Sequence, residues 1–225
     1  MADDEIRARL EPVLELLATD PASVTSVRDR ERAWDVHVAD SLSGLELVGR
    51  PARLADVGSG AGFPGLALAA ALPGTEVDLI ESVGRKCEFM RRAIDAGAIA
   101  NARVVCDRAE VWASSPPPAG GREAYDVVTA RAVGRLSTLA ELASPLLVEG
   151  GALVAWKGRR DPGEEAELER AAGRVAMAGE RIEWVGPFAG SRNRHLHLVR
   201  KFAPTPPGLP RRPGMAKKRP LGAGD

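Results

Sequence analysis

A glycine-rich stretch of the chain, residues 53–65, contains the residues best suited to binding a ligand. Apolar residues at 54–57 predict a short strand, and Pro64 predicts the first turn of a helix, because its fixed φ is already helical. Between them stand three glycines at alternate positions, Gly58, Gly60 and Gly62. Residues without a Cβ let a ligand approach the main chain, so we expect bare N–H groups facing a nucleotide or nucleoside at the carboxyl end of this strand.

Two cofactor fingerprints overlap in this loop. Residues 60–65 satisfy Gly-x-Gly-x-x-Gly, the dinucleotide pattern, whereas residues 58–62 form Gly-x-Gly-x-Gly, which is typical of S-adenosylmethionine-dependent methyltransferases. Pro64 places the helix start after Gly60 and so favours the second pattern. Glu81 follows the next predicted strand, where its carboxylate can accept both ribose hydroxyls of either cofactor. The alternative is that Glu81 only caps the following helix at Ser82.

The elements that position this loop alternate regularly between strand and helix. Alternation at this spacing predicts a doubly wound, Rossmann-like α/β fold with a mostly parallel, seven-stranded sheet. We expect a single domain over residues 1–202, in which residues 1–50 form an N-terminal helical extension and residues 51–202 the core. The expected strands are 54–57, 77–81, 103–106, 126–129, 152–156, 182–185 and 195–201, and the expected helices are 3–18, 29–47, 64–72, 84–96, 109–113, 137–147 and 164–177.

Composition limits the function further. The 225 residues carry no formal net charge, but the first 20 are acidic and the chain from Arg192 onward is basic. Residues 203–225 are rich in proline and glycine, so we expect a basic tail that is extended or disordered. Two cysteines, Cys87 and Cys106, are too few for a disulfide framework. With no signal-peptide pattern and no apolar run near the ~20 residues of a membrane span, the sequence indicates a cytoplasmic protein without membrane contact.

The chain contains three histidines, His37, His195 and His197, each of which is a candidate functional group. His37, Asp40 and Ser41 share one side of a predicted helix, a spacing typical of a surface hydrogen-bond cluster. His195 and His197 alternate along one strand face, but only His37 exists elsewhere in the chain and no Cys-x-x-Cys motif accompanies them. We therefore expect packed strand histidines and no metal site.

These motifs, taken together and in order, resemble the bacterial small-subunit ribosomal RNA guanine-N7 methyltransferase family (RsmG, also called GidB). The resemblance covers nearly the whole chain, and its most specific part is the ten-residue run from Asp56 to Gly65. The matching segments are 25–29, 37–41, 56–65, 79–86, 108–110, 131–132, 157–158, 194–196, 210–214 and 218–221.

The resemblance implies a cofactor, a substrate and a set of site residues. The cofactor is S-adenosyl-L-methionine and the partner is 16S ribosomal RNA or the small ribosomal subunit, bound by a monomer. Guanine N7 has a lone pair and no hydrogen, so no catalytic acid or base is expected, and Arg131 serves for positioning. The implied cofactor-binding residues are Gly58, Gly60, Gly62, Phe63, Glu81, Ala109, Glu110 and Arg131. The implied RNA-binding residues are His37, Arg192, Arg194, His195, Arg211, Arg212, Lys217, Lys218 and Arg219.

Two other functions are compatible with parts of the sequence. An NAD-dependent oxidoreductase is permitted by the pattern at residues 60–65. A non-catalytic RNA-binding ribosome assembly factor would keep the basic tail and let the cofactor site decay, although Glu81, Glu110 and Arg131 are all present.

Overall fold

A computed structural model of the chain describes residues 3–20, 27 and 29–224. Most of the matching segment at residues 25–29 lies outside the described residues. Asp225, at the end of the basic tail, lies outside them too.

A seven-stranded sheet with the order β3-β2-β1-β4-β5-β7-β6 forms the centre of the fold. Strands β1 to β5 are mutually parallel, and β7 lies antiparallel between β5 and β6. The predicted mostly parallel sheet is therefore confirmed. The strands are β1 (Arg53–Val57), β2 (Glu76–Ile80), β3 (Ala102–Val105), β4 (Tyr125–Arg131), β5 (Leu147–Lys157), β6 (Met177–Trp184) and β7 (His195–Lys201).

Helices cover both faces of the sheet because alternate strand residues point to opposite faces. On β1, Leu54 packs into the core beneath α1 (Asp3–Thr19), while Ala55 packs into the core beneath α8 (Leu136–Ala143). The first layer also holds α5 (Gly65–Ala71) and α6 (Gly84–Ala96), and the second layer holds α7 (Ala109–Trp112) and α9 (Pro162–Val175). Within the described residues, no helix combines the length and apolar character needed to cross a bilayer.

The helix expected at residues 29–47 is interrupted. It divides into α2 (Arg30–Ala33), a π-helical segment (Trp34–Ala39), α3 (Asp40–Leu42) and α4 (Leu45–Val48). The Asp40 amide donates to the Asp35 carbonyl, five residues back, instead of to Val36. The Val36 carbonyl accepts a hydrogen bond from Arg131 at the end of β4. The π register therefore helps to fix this helical segment to the sheet.

The C-terminal tail is folded, so the expectation of an extended or disordered segment is wrong. Prolines exclude a long helix, but a short one, α10 (Met215–Lys218), forms between them. Leu209, Ala216 and Leu221 are buried against the second helical layer. The Arg211 guanidinium donates two hydrogen bonds, of 2.6 and 2.5 Å, to the buried carboxylate of Glu141 on α8. Apolar burial and this ion pair together hold the tail on the core.

The two cysteines also differ from expectation. Cys87 on α6 and Cys106 directly after β3 have Cα atoms 5.8 Å apart and form a disulfide. The sequence alone did not indicate this pairing, because the residues are 19 positions apart and meet only through the β2–α6–β3 crossover.

Replacing Arg211 by alanine should destabilise the fold and detach the tail. Glu141 is buried, so the substitution leaves a desolvated carboxylate without its guanidinium, at a cost of about 1–3 kcal/mol in the free energy of unfolding. Arg212→Ala is the matched control: its side chain is exposed, and a change within about 0.5 kcal/mol is expected. Denaturant unfolding of the two variants decides the matter, and equal stabilities would contradict a structural role for Arg211.

Candidate active site

The glycine loop after β1 adopts conformations that L-residues avoid. Gly58, Gly60 and Gly62 have φ values of 68°, 61° and 94°. Their N–H groups do not face a ligand: Gly58 donates to the Ile80 carbonyl, Gly60 to the Glu81 carboxylate and Gly62 to the Ser59 carbonyl. The expectation of bare N–H groups is therefore wrong. Glycine is required here for the backbone shape, and the N–H groups are used to hold that shape.

Asp56, near the end of β1, is hydrogen-bonded to the end of this loop. Its side chain is fully buried and accepts hydrogen bonds from Thr129 Oγ1 on β4 at 2.8 Å and from the Gly65 amide at 3.2 Å. Burial raises the pKa of Asp56 to about 6, against the lowering effect of these hydrogen bonds. Sequence reasoning did not identify this residue, although an acid inside an apolar strand is a detectable signal.

Glu81 is buried at the end of β2, next to the loop. One carboxylate oxygen accepts from the Gly60 amide at 3.1 Å, and the other accepts from the Val83 amide at 2.9 Å, just before α6 begins. Glu81 thus supports the start of the next helix, as the alternative reading expected. It also lines a cavity at the carboxyl ends of β1 and β2. The Lys86 ammonium lies 3.7 Å from Oε2, and each carboxylate oxygen can accept more than one hydrogen bond.

That cavity, here called the cofactor cavity, measures about 210 Å³ and is lined by half of the cofactor-binding residues implied by the resemblance. Gly58, Glu81, Ala109 and Glu110 all line it, together with apolar groups such as Ile80 and Leu142. Carboxylates beside an apolar wall fit a nucleoside, whose hydroxyls need acceptors and whose base needs apolar contact. A Cβ on Gly58 would come within 2.7 Å of Val133 Cγ2, so a side chain there would have to displace the cavity wall.

The tail also contributes to the cofactor cavity. The Gly214 amide donates to Glu110 Oε1 at 2.6 Å, and Gly214, Ala216 and Lys217 line the cavity. Part of the segment implied as RNA-binding therefore lies beside the expected cofactor.

Phe63 lies beneath the N-terminal helical segment. Its ring stacks on His37, with centroids 5.2 Å apart and an interplanar angle of 23°. Burial, and secondarily the charge of Arg131, lower the pKa of His37 to about 4, so the imidazole is neutral at physiological pH. His37 is therefore an interior residue of the site, and its burial does not favour direct contact with RNA.

Arg131, at the end of β4, connects the sheet to the π-helical segment. Its Nη1 atom donates to Asp40 Oδ2 at 2.9 Å and to the Val36 carbonyl at 3.1 Å, and lies 3.3 Å from Ser41 Oγ. The expected cluster of His37, Asp40 and Ser41 is therefore buried against Arg131 and does not lie on a solvated helix face.

A second cavity of about 340 Å³, here called the acceptor cavity, lies on the other side of the β4 end. Its lining includes Asp40, Arg131, Trp156, Lys157, Arg194 and His195. Asp40 Oδ1 and Arg194 Nε are buried and have no hydrogen-bond partner among the described residues, although they lie 3.4 Å apart. This wall therefore presents a carboxylate and a guanidinium that are paired with each other.

The segment from Arg131 to Gly134 separates the two cavities. Arg131, Ala132 and Gly134 line the acceptor cavity, and Val133 lines the cofactor cavity. Ala132 has a φ of 58°, a left-handed conformation that is unfavourable for a residue with a Cβ. Strained backbone of this kind is often found at functional sites.

The cations implied as RNA-binding fall into two groups. Arg192, Arg212, Lys217, Lys218 and Arg219 are exposed. Arg211 is bound to Glu141, and His195 is buried with its Nδ1 donating to the Gly158 carbonyl at 2.7 Å, so neither presents a free surface group. In the described part of the chain, no three His, Cys, Asp or Glu side chains are arranged to hold a metal ion.

The sheet order, the glycine loop and the strand-end acid of β2 define a class I S-adenosylmethionine-dependent methyltransferase. The family model for rRNA small subunit methyltransferase G matches residues 14–196. The chain therefore belongs to the rRNA small subunit methyltransferase G family.

Relatives and solved structures agree with this assignment. The chain is 39% identical to a ribosomal RNA small subunit methyltransferase G of Chloroflexus aggregans, over 92% of this chain and 85% of that protein. It is 40% identical to one of Roseiflexus castenholzii, over 88% of this chain and 84% of that protein. A crystal structure described as a predicted O-methyltransferase from Agrobacterium tumefaciens has a TM-score of 0.58 and 31% identity, covering 73% of this chain and 81% of that chain.

Another solved structure shares the fold alone. The 1,6-didemethyltoxoflavin-N1-methyltransferase of Burkholderia thailandensis has a TM-score of 0.54 at 18% identity, covering 90% of this chain and 92% of that chain. A similar architecture at such low identity shows that the fold does not depend on a shared substrate.

The raised pKa of Asp56 predicts a pH dependence of stability. Between pH 4 and 6 the folded state holds a proton on Asp56 that the unfolded state releases. Asp56 therefore makes the free energy of unfolding larger at pH 4, and this stabilisation is lost as the pH rises through about 6. About two pKa units correspond to roughly 3 kcal/mol. Asp56→Asn should lack this contribution, and denaturant unfolding at pH 4.5 and 7 measures it.

A second variant covers the case in which Asp56→Asn does not fold. Thr129→Val keeps the carboxyl group but removes a hydrogen bond that lowers its pKa, so the pH window should extend upward. An unchanged pH dependence in both variants would contradict a raised pKa for Asp56.

Proposed function

We propose that this chain transfers the methyl group of S-adenosylmethionine to N7 of a guanine in 16S ribosomal RNA of the small subunit. The observation that carries the proposal is the pair of adjoining cavities on either side of residues 131–134. One cavity has the lining of a nucleoside site, and the other is lined by a carboxylate acceptor and a guanidinium donor of the kind that a nucleobase edge requires.

Residues around the cofactor cavity would hold the methyl donor. The Glu81 carboxylate would accept hydrogen bonds from the ribose hydroxyls, and Ala109 and Glu110 would contact the adenine. Gly58, Gly60 and Gly62 shape the loop against which the cofactor rests, and Phe63 supports that loop through its stack on His37. Arg131 lies at the boundary of the two cavities, where the methyl group must pass.

The acceptor cavity suits guanine by its hydrogen-bonding pattern. Guanine offers an N2 amino donor on one edge and the O6 and N7 acceptors on another. Asp40 Oδ1 can accept from the base, and Arg194 Nε can donate to it. The two groups are paired with each other at 3.4 Å, so a base that offers both a donor and an acceptor would replace this ion-pair contact with two hydrogen bonds.

The chemical step needs no proton transfer. The N7 lone pair attacks the sulfonium methyl carbon, the carbon–sulfur bond breaks, and its electron pair returns to sulfur. The methylated base would carry the positive charge that the sulfonium loses. Lys157 is bound to the Gly134 carbonyl and to Glu164, and His195 to the Gly158 carbonyl, so these groups serve to shape the cavity.

The alternatives have less support. Membership of the rRNA small subunit methyltransferase G family does not favour an NAD-dependent oxidoreductase. A decayed site in an assembly factor is disfavoured by the intact contacts of Glu81, Glu110 and Arg131. We also propose that the chain acts as a monomer in the cytoplasm, where its ribosomal substrate is assembled. Exposed cations, including Arg192, Arg212 and Arg219, would contact phosphates.

Replacing Arg131 by alanine should reduce methyl transfer by about 100-fold. The substitution releases Asp40 and the π-helical segment from β4, and small displacements of a positioned substrate have effects of this size. The measurement is transfer of labelled methyl groups from S-adenosylmethionine to small subunits and to protein-free 16S RNA. Arg174→Ala, an exposed arginine on α9, is the control. Thermal unfolding confirms that the variants fold, and wild-type activity in Arg131→Ala would contradict the positioning role.

Asp40→Asn tests the function of the acceptor cavity separately from that of the cofactor cavity. The amide keeps the size of the side chain but removes the negative charge that pairs with Arg131 and lines the acceptor cavity, so kcat/KM for the small subunit should fall about tenfold or more. Affinity for S-adenosylmethionine, measured by calorimetry, should change less than about twofold, because Asp40 does not line the cofactor cavity. Unchanged transfer in this variant would show that Asp40 does not read the base.

A further inference from the structure

Trp184 is the most exposed large hydrophobic side chain among the described residues, with 62% of its surface open to solvent. It is the last residue of β6, which runs in the same direction as the parallel strands. Its side chain therefore lies at the carboxyl edge of the sheet, where both cavities open. No function considered above uses this residue.

Contacts with neighbouring residues place Trp184 beside the acceptor cavity. Trp184 is paired with His195 across the β6–β7 ladder, and the two rings pack at 84° with centroids 4.6 Å apart. His195 Nδ1 donates a hydrogen bond to the Gly158 carbonyl, and His195 and Gly158 both line the acceptor cavity. The indole is thus supported from one side by a fixed imidazole while most of its surface stays open.

Charge around the indole is positive. Arg194 lies next to His195 in the chain and is 37% exposed, and Arg192 is exposed two residues earlier. The nearest acid along β6, Glu183, is neutralised by Arg181 at 2.9 Å. Asp40 is buried and is paired with Arg131 and Arg194. On α9, Glu164 is paired with Lys157 and Glu165 with Arg160.

An exposed aromatic ring among arginines has the chemistry of a stacking surface for single-stranded nucleic acid. Any base can stack on an indole, and arginines can meet the flanking phosphates. A protein partner would be expected to cover a larger apolar patch, but on this strand only Ile182, at 39% exposure, accompanies Trp184 among the large hydrophobic residues. The chemistry therefore favours RNA.

We propose that Trp184 stacks on a nucleobase of 16S ribosomal RNA that flanks the guanine held in the acceptor cavity, with Arg192 contacting the adjoining phosphate. This inference rests on the proposed function and adds an RNA-binding residue outside the cofactor site. Stacking on a flanking base would orient the RNA strand as its guanine enters the cavity.

The same pair of strands offers a matched control. Phe202 directly follows β7 and is 53% exposed, and its amide bonds to the Ala176 carbonyl at the start of β6. It therefore lies at the opposite edge of the sheet, away from both cavities. Trp184→Ala and Phe202→Ala each remove an exposed aromatic ring from the same hairpin, and only the first should affect RNA.

Binding and kinetics test the proposal together. Trp184→Ala should weaken equilibrium binding to protein-free 16S RNA and raise KM for small subunits about tenfold each, equivalent to about 1.4 kcal/mol, with kcat changed less than about twofold. Trp184→Phe should recover most of the affinity, because a smaller ring still stacks. A short single-stranded RNA oligonucleotide should quench the fluorescence of the wild type more than that of Trp184→Phe.

Each outcome decides between the interpretations. Equal effects of Trp184→Ala and Phe202→Ala, or no effect of either, would overturn the proposal. Weaker binding to small subunits without weaker binding to protein-free RNA would assign Trp184 to a ribosomal protein and also overturn it. If the wild type transfers no methyl group, the proposed function fails, while RNA binding and fluorescence still test the stacking surface by themselves.

Discussion

The ion pair between Arg131 and Asp40 is the interaction on which the functional part of the molecule depends. It joins the carboxyl end of β4 to the π-helical segment, and the Trp156 indole of β5 donates to the Asp40 carbonyl at 2.8 Å beside it. Without these contacts the π-helical segment would not be fixed to the end of β4, and the acceptor cavity would lose one wall. A buried charged pair of this kind is costly to form but sharply defines the geometry, because either charge alone would be destabilising.

The walls of the cofactor cavity are held by a different set of contacts. The glycine loop is held by its own N–H groups and by two buried carboxylates, those of Asp56 and Glu81. The C-terminal tail then closes this side through Glu110 and Gly214. The family model ends at residue 196, so this wall comes from a segment beyond the matched region. A methyl transfer that requires only alignment of two reactants benefits from preformed walls of this kind.

The sequence predicted those features that local patterns encode. Alternating strands and helices predicted the sheet, and the spacing of the glycines predicted the loop and its cofactor. Features created by contacts between distant residues were missed or wrong. The tail was expected to be unfolded because its prolines are visible in sequence, whereas its anchor on Glu141 lies 70 positions away. His37 appeared to be a surface residue because periodicity does not reveal a π register, and Trp184 carried no signal because exposure on an edge strand depends on what the neighbours leave uncovered.

The most direct test of the central claim is a map of N7-methylguanine in small-subunit RNA. Methylation at N7 makes the glycosidic bond labile, so mild chemical treatment cleaves the RNA at the modified base. After reaction of small subunits or protein-free 16S RNA with this chain and S-adenosylmethionine, we predict one new scission at a guanine, absent when the methyl donor is omitted. Incorporation of labelled methyl groups without scission at any guanine would contradict the assignment of N7 as the acceptor atom.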